Sequence, residues 1–123
     1  MAERILIADD DSELCSLLHM MLKREGYEVN SVYNGQAALE HIDAQGVDLI
    51  LLDDMMPVMN GFDMLRELYE RPNRDKIRVI LMTARSSMEF TDAAQELGVH
   101  DWLIKPFTPV ELLEHVRAVL TAH

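Results

Sequence analysis

Four short apolar runs in this chain each end on residues able to do chemistry. Ile5 to Ala8 leads into Asp9, Asp10 and Asp11; Leu49 to Leu52 into Asp53 and Asp54; Val79 to Met82 into Thr83 and Ala84; Trp102 to Ile104 into Lys105. Carboxylates gathered within a few ångströms repel one another, and at neutral pH they coexist only with a proton or a cation between them. Hard oxygen donors, few and open to water, with no His or Cys in the same loops, suit Mg²⁺ better than zinc. An ion held there keeps free positions for phosphoryl oxygens, and a lysine and a threonine beside it would neutralise a phosphoryl group in transfer. Asp53 is the candidate nucleophile, because it stands centrally between acids on one side and the Thr and Lys on the other.

Bringing those residues together requires a parallel sheet. Leu49 to Leu52 is too short for a helix and too uniformly apolar for a half-wet strand, so it reads as a strand buried on both faces. Between the runs, apolar residues recur at helical spacing: Leu14, Leu17, Leu18, Met21 and Leu22 before Gly26; Ala38, Leu39 and Ile42 after Asn34-Gly35; Phe62, Leu65, Leu68 and Tyr69 after Asn60-Gly61. A fourth helix is expected from about Ser87 to Leu97, opened by a capping box from Ser86 to Glu89. A fifth follows Thr108-Pro109-Val110-Glu111, which supplies a cap, a first-turn proline and a capping glutamate. With Tyr27 to Val32 as a further strand, five strands alternate with five helices, which predicts a doubly wound α/β fold, flavodoxin-like, with strand order 2-1-3-4-5. In that order the two acid-bearing strands are neighbours, and Thr83 and Lys105 arrive from one side of them.

Bulk properties agree with one domain over residues 1–123 that can bury a core, at 49% hydrophobic residues. With 11 Lys plus Arg against 22 Asp plus Glu, the net charge of -11 disfavours direct contact with nucleic acid. A single cysteine, Cys15, excludes an internal disulfide and reads as a packing residue. No apolar run reaches membrane-spanning length and no signal peptide opens the chain, so a cytoplasmic protein is expected. Arg71, Arg74, Lys76 and Arg78 read as a solvated loop. His19, His41, His100, His115 and His123 show no ligand spacing and read as structural or solvated.

These residues together resemble the receiver domain of two-component response regulators, over essentially the whole chain. The acidic pair after the first strand matches Asp9 and Asp10. The acceptor four residues before the proline of the DxMMP pattern matches Asp53, Thr-Ala matches Thr83-Ala84, and Lys-Pro-Phe matches Lys105-Pro106-Phe107. The resemblance implies a phosphoacceptor switch: Asp53 takes a phosphoryl group from a sensor histidine kinase or a phosphotransfer protein. It implies Mg²⁺ held by Asp10, Asp53 and the backbone carbonyl of Met55, with Asp9 acting through water, and a cis Lys105-Pro106 bond. Thr83 and Trp102 would then rearrange and alter the surface of the fourth helix, fifth strand and fifth helix for an unknown downstream protein. Such a protein catalyses its own phosphorylation and dephosphorylation but is not otherwise an enzyme, and no output domain is expected within these residues.

Several positions depart from the pattern. Asp54 stands where the family is usually apolar; alternation points it away from Asp53, toward water or a local hydrogen bond. Met55 and Arg85 flank the path of an attacking water and are expected to modulate dephosphorylation. Asp101 and Arg117 match receivers that dimerise through their fourth and fifth helices, whereas His100 and His115 replace charged residues of that pattern, so a homodimer is expected to be weak. Two other classes compete. A magnesium-dependent phosphatase with an Asp nucleophile wants a second Asp where Met55 stands, and a nonphosphorylated interaction module has no need of the full set of acids, Thr and Lys. A flavin-binding protein is disfavoured, because three Asp would repel its phosphate.

Overall fold

The computed structural model describes residues 2–84 and 88–121. Strands β1 (Arg4–Ala8), β2 (Glu28–Val32), β3 (Leu49–Asp53), β4 (Arg78–Thr83) and β5 (Asp101–Ile104) form one parallel sheet in the order β2-β1-β3-β4-β5. Helices α1 (Ser12–Arg24), α2 (Gly35–Ala44), α3 (Gly61–Tyr69), α4 (Met88–Glu96) and α5 (Pro109–Thr121) fill the crossovers. The predicted α/β fold and strand order are therefore observed. The fourth-helix capping box at Ser86 lies outside the described residues.

The apolar runs are explained by burial on two faces. Leu6, Ala8, Ile50, Leu52, Val79 and Leu81 pack against α2, α3 and α4. The alternating residues Ile5, Ile7, Leu49, Leu51, Ile80 and Met82 pack against α1 and α5. A strand with a helical layer on either side has no wet face, so its sequence cannot alternate polar with apolar. Leu17 of α1 and Tyr69 of α3 are exceptions to the helical pattern, at 43% and 56% exposed.

Short polar side chains start the helices where the chain turns back. Asp11 accepts from the N–H groups of Glu13 and Leu14 at 3.1 Å, Asn34 from Ala37 at 2.8 Å and Asn60 from Asp63 at 2.9 Å. Each satisfies a first-turn donor that the helix cannot satisfy itself. At α5 the capping box forms, with Thr108 Oγ1 accepting from Glu111 N–H and donating to the Glu111 carboxylate.

The basic stretch before β4 is not a solvated loop. Arg74 is buried, and its guanidinium donates to the carbonyls of Ile77 at 2.8 Å, Leu97 at 3.2 Å and Gly98 at 2.8 Å. It thus ties the entry to β4 to the residues that follow α4. Burial pulls its pKa below the usual arginine value, opposed by Asp75 and Tyr69. Arg71 pairs with Asp43 and Glu67, and Arg78 donates to the Val119 carbonyl. A loop rich in arginine is here a set of cross-links because guanidinium offers five donors in a fixed fork. His100 is also structural, its Nδ1 accepting from Val79 N–H at 3.0 Å.

Among the described residues, no helix is long and apolar enough to cross a membrane. Arg74→Ala strands three carbonyl groups and should lower unfolding free energy by about 2 kcal/mol in urea titration. A loss under half that size would show that the clasp contributes little.

Candidate metal and phosphoryl site at the carboxyl edge of the sheet

Because β1 and β3 are adjacent, their C-terminal ends deliver Asp9, Asp10 and Asp53 to one place. One carboxylate oxygen of each lies within 4.8 Å of the other two. The three differ in environment: Asp9 is fully buried, Asp53 is 6% exposed, and Asp10 is exposed. Asp9 spends its oxygens inward, accepting from Asp11 N–H at 2.9 Å and from Lys105 Nζ at 2.9 Å. Lys105 reaches the site from the end of β5 and also lies 3.4 Å from Asp53 Oδ1. One ammonium is thus shared between two buried acids.

The electrostatics follow from this count. Burial first, and then the charge of Asp9, push the Asp53 carboxyl up to about 6, against the downward pull of Lys105 and of a hydrogen bond from the Met55 backbone. The nearby Asp54 charge adds to the upward push. Burial acts to lower Lys105, but its hydrogen bond to Asp9 and the charges of Asp9 and Asp53 outweigh that and hold it above the usual lysine value. Cys15, whose thiol donates to the Asp9 carbonyl, is pushed up to about 11 by burial and then by Asp9 and Asp11. It is a packing residue and a poor nucleophile at neutral pH.

Thr83 is fully buried at the end of β4, and its carbonyl accepts from Lys105 N–H at 2.8 Å, which joins the two strand ends. Ala84 beside it is exposed, and the Lys105–Pro106 bond is cis. Trp102 lies half-buried on β5 against the core layer of α2, α3 and α4, and its indole nitrogen has no hydrogen-bond partner among the described residues. Arg85, the expected modulator, lies outside the described residues.

The loop between β3 and α3 forms one wall. Met55 is 67% exposed, while Met56 and Met59 pack on the core. Of the two expectations for Asp54, water or a local hydrogen bond, water is set aside by its burial at 5% exposed. Asp54 lines a cavity of about 700 Å³ together with Asp10, Met55, Asn60, Phe62 and Arg66. Val58 at the loop tip has φ 67°, with Met59 N–H donating to the Pro57 carbonyl at 2.7 Å. That is a classic γ-turn, a strained conformation for a β-branched residue. Gly61 is obligatory, because a Cβ there would stand 2.3 Å from the Asp53 carbonyl oxygen.

A doubly wound parallel sheet with acids, a lysine and a threonine at its switch point defines the protein as a flavodoxin-like α/β protein with an acidic cluster at that edge. The chain belongs to the response regulator receiver domain family, whose signature it matches over residues 5–117. It is similar to the transcriptional regulatory protein CpxR of Klebsiella pneumoniae, at 44% identity over 95% of this chain and 49% of that protein. It is likewise similar to the sensory transduction protein RegX3 of Mycobacterium tuberculosis, at 39% identity over 94% of this chain and 50% of that protein. The chain therefore spans about half the length of the curated relatives it matches. Among solved structures, chemotaxis protein CheY4 of Vibrio cholerae superposes with a TM-score of 0.92 at 28% identity, covering 98% of this chain and 100% of that one. The receiver domain of sensor histidine kinase PA1611 from Pseudomonas aeruginosa, described with a magnesium ion coordinated in its active site cleft, superposes with a TM-score of 0.88 at 27% identity, covering 99% and 100%.

Two buried carboxylates sharing one lysine leave negative charge uncompensated when no divalent cation is present. Asp53→Asn should therefore stabilise the chelator-treated protein at pH 7, by about 1 to 2 kcal/mol in thermal or urea unfolding. A less stable variant would mean that the carboxylate is held by attraction and not crowded.

Proposed function

We propose that the chain is the phosphoacceptor switch of a two-component phosphorelay, with residues 1–123 read as one receiver unit. The observation that carries this reading is the shared Lys105 ammonium between Asp9 and Asp53, with Thr83 on the neighbouring strand end. Response regulators work with histidine kinases, and the donor here would be a phosphohistidine on such a kinase or on a phosphotransfer protein.

The donor set fits Mg²⁺: three carboxylate oxygens, one from the exposed Asp10 and no histidine or cysteine in the cluster. Asp10, Asp53 and the Met55 carbonyl would hold it, with Asp9 behind them. Bound there, it would supply positive charge to the phosphoryl oxygens. Asp53 contributes the nucleophile: a carboxylate oxygen attacks phosphorus, the P–N bond breaks, and its electron pair leaves with the imidazole. Lys105 provides a fixed positive charge beside that oxygen, and Asp9 fixes Lys105. Thr83 offers a hydroxyl to the transferred group, and its movement with Trp102 would carry the change to the face formed by α4, β5 and α5. A downstream protein would read that face.

That face is internally engaged in the present state. His115 Nδ1 pairs with Asp101, and Arg117 pairs with Glu25 of α1. Asp101 and Arg117, which match a dimerising pattern, thus have partners within the chain, which supports a weak homodimer at most.

Incubation with Mg²⁺ and a small acyl phosphate should add one phosphoryl group by intact mass, lost with Asp53→Asn and absent from Asp54 in peptide mapping. Continued phosphate release over many turnovers would instead support a phosphatase. Met55 places an exposed apolar side chain where a hydrolytic water must approach, so Met55→Asn should shorten the acyl-phosphate half-life, by about tenfold. An unchanged half-life would remove Met55 as a modulator.

A further inference from the structure

The acceptor loop is pinned from outside by an element that carries none of the reactive residues. Gly35, the first residue of α2, donates its N–H to the Met59 carbonyl at 2.8 Å. The contact has no slack: a Cβ on Gly35 would stand 2.6 Å from that carbonyl oxygen and 2.9 Å from Met59 Cγ. Real Cβ atoms do not approach backbone so closely, so any side chain at position 35 must move the loop or the helix. Asn34 holds the start of α2 in place by capping Ala37 N–H at 2.8 Å.

On the other side of the latch, the loop is short and stiff. Met59 N–H closes the γ-turn on Pro57, Gly61 N–H donates to the Asp54 carbonyl at 3.1 Å, and the Gly61 Cα lies against the Asp53 backbone. Met55, at the loop's beginning, hydrogen-bonds the Asp53 carboxylate through its backbone. A displacement at Met59 has few soft torsions to absorb it before it reaches Met55, since the strained Val58 sits between.

We infer that Gly35, with Asn34 behind it, is a positioning residue: by latching the Met59 carbonyl, the start of α2 sets where the Met55 backbone stands beside Asp53. This rests on the proposed magnesium and phosphoryl role of that site. It assigns to α2 a task distinct from core packing, because the latch is made by backbone atoms alone.

The full chain labelled with ¹⁵N-methionine reports the loop directly through Met55, Met56 and Met59, and magnesium chloride is the probe ligand. In metal-free Gly35→Ala, the Met55 and Met56 amide signals should shift along with Met59, and the Mg²⁺ dissociation constant should weaken, by about tenfold. Asn34→Ala, which keeps the glycine and loosens the cap, should weaken it less, by about threefold. Ile42→Val, a cavity on the buried face of α2 remote from the latch, should leave both readouts as in the parent. If Gly35→Ala does not fold, Asn34→Ala decides. The inference is overturned if the latch variants bind Mg²⁺ as the parent does with unshifted Met55, or if Ile42→Val weakens binding equally. Absence of saturable Mg²⁺ binding by the parent chain would sink the reading of the site itself, and is seen before any variant is compared.

Discussion

The sharing of one lysine by two buried carboxylates is the constraint around which this fold is arranged. Asp9 and Asp53 are brought out of water by adjacent strands, and Lys105 must travel from the far edge of the sheet to meet them. A buried acid with half a counterion is costly by itself. It is retained because the rest of the chain is stable enough to hold it: the sheet beneath is sealed on both faces, and the strand ends bearing Thr83 and Lys105 are joined by a backbone hydrogen bond. That deficit in positive charge is what a cation bound there would offset.

Much of this was legible in the chain of residues. Apolar runs ending in Asp, Asp, Thr and Lys located four strand ends, and right-handed crossovers with the common order of doubly wound sheets predicted how they line up. Helix starts were readable wherever the capping group is local, as at Asn34, Asn60 and the Thr108–Glu111 pair. Local chemistry leaves local marks. The same holds for Asp53, whose centrality follows from strand order without any distance.

What was not legible depends on contacts across long separations. Arg74 looks like part of a solvated basic loop until α4 is placed beside it, 23 residues away along the chain for Leu97. Strand periodicity pointed Asp54 toward water or a local hydrogen bond, and its burial, which decides against water, depends on the loop folded beside it. Gly35 was placed at the start of the second helical pattern, but the reason a side chain does not fit there is the Met59 carbonyl in another loop. In each case a residue type was identified correctly and its partner was missing.

The Arg74 clasp carries a consequence for how such a sequence can drift. Gly98 has φ +80°, and a Cβ there would stand 2.5 Å from the Arg74 guanidinium. The dependence runs one way: a side chain at 98 would displace the guanidinium from the carbonyls it holds, whereas loss of the arginine leaves glycine still required by the positive φ. Arginine at 74 is therefore expected only alongside glycine at 98, while glycine at 98 can outlast the arginine.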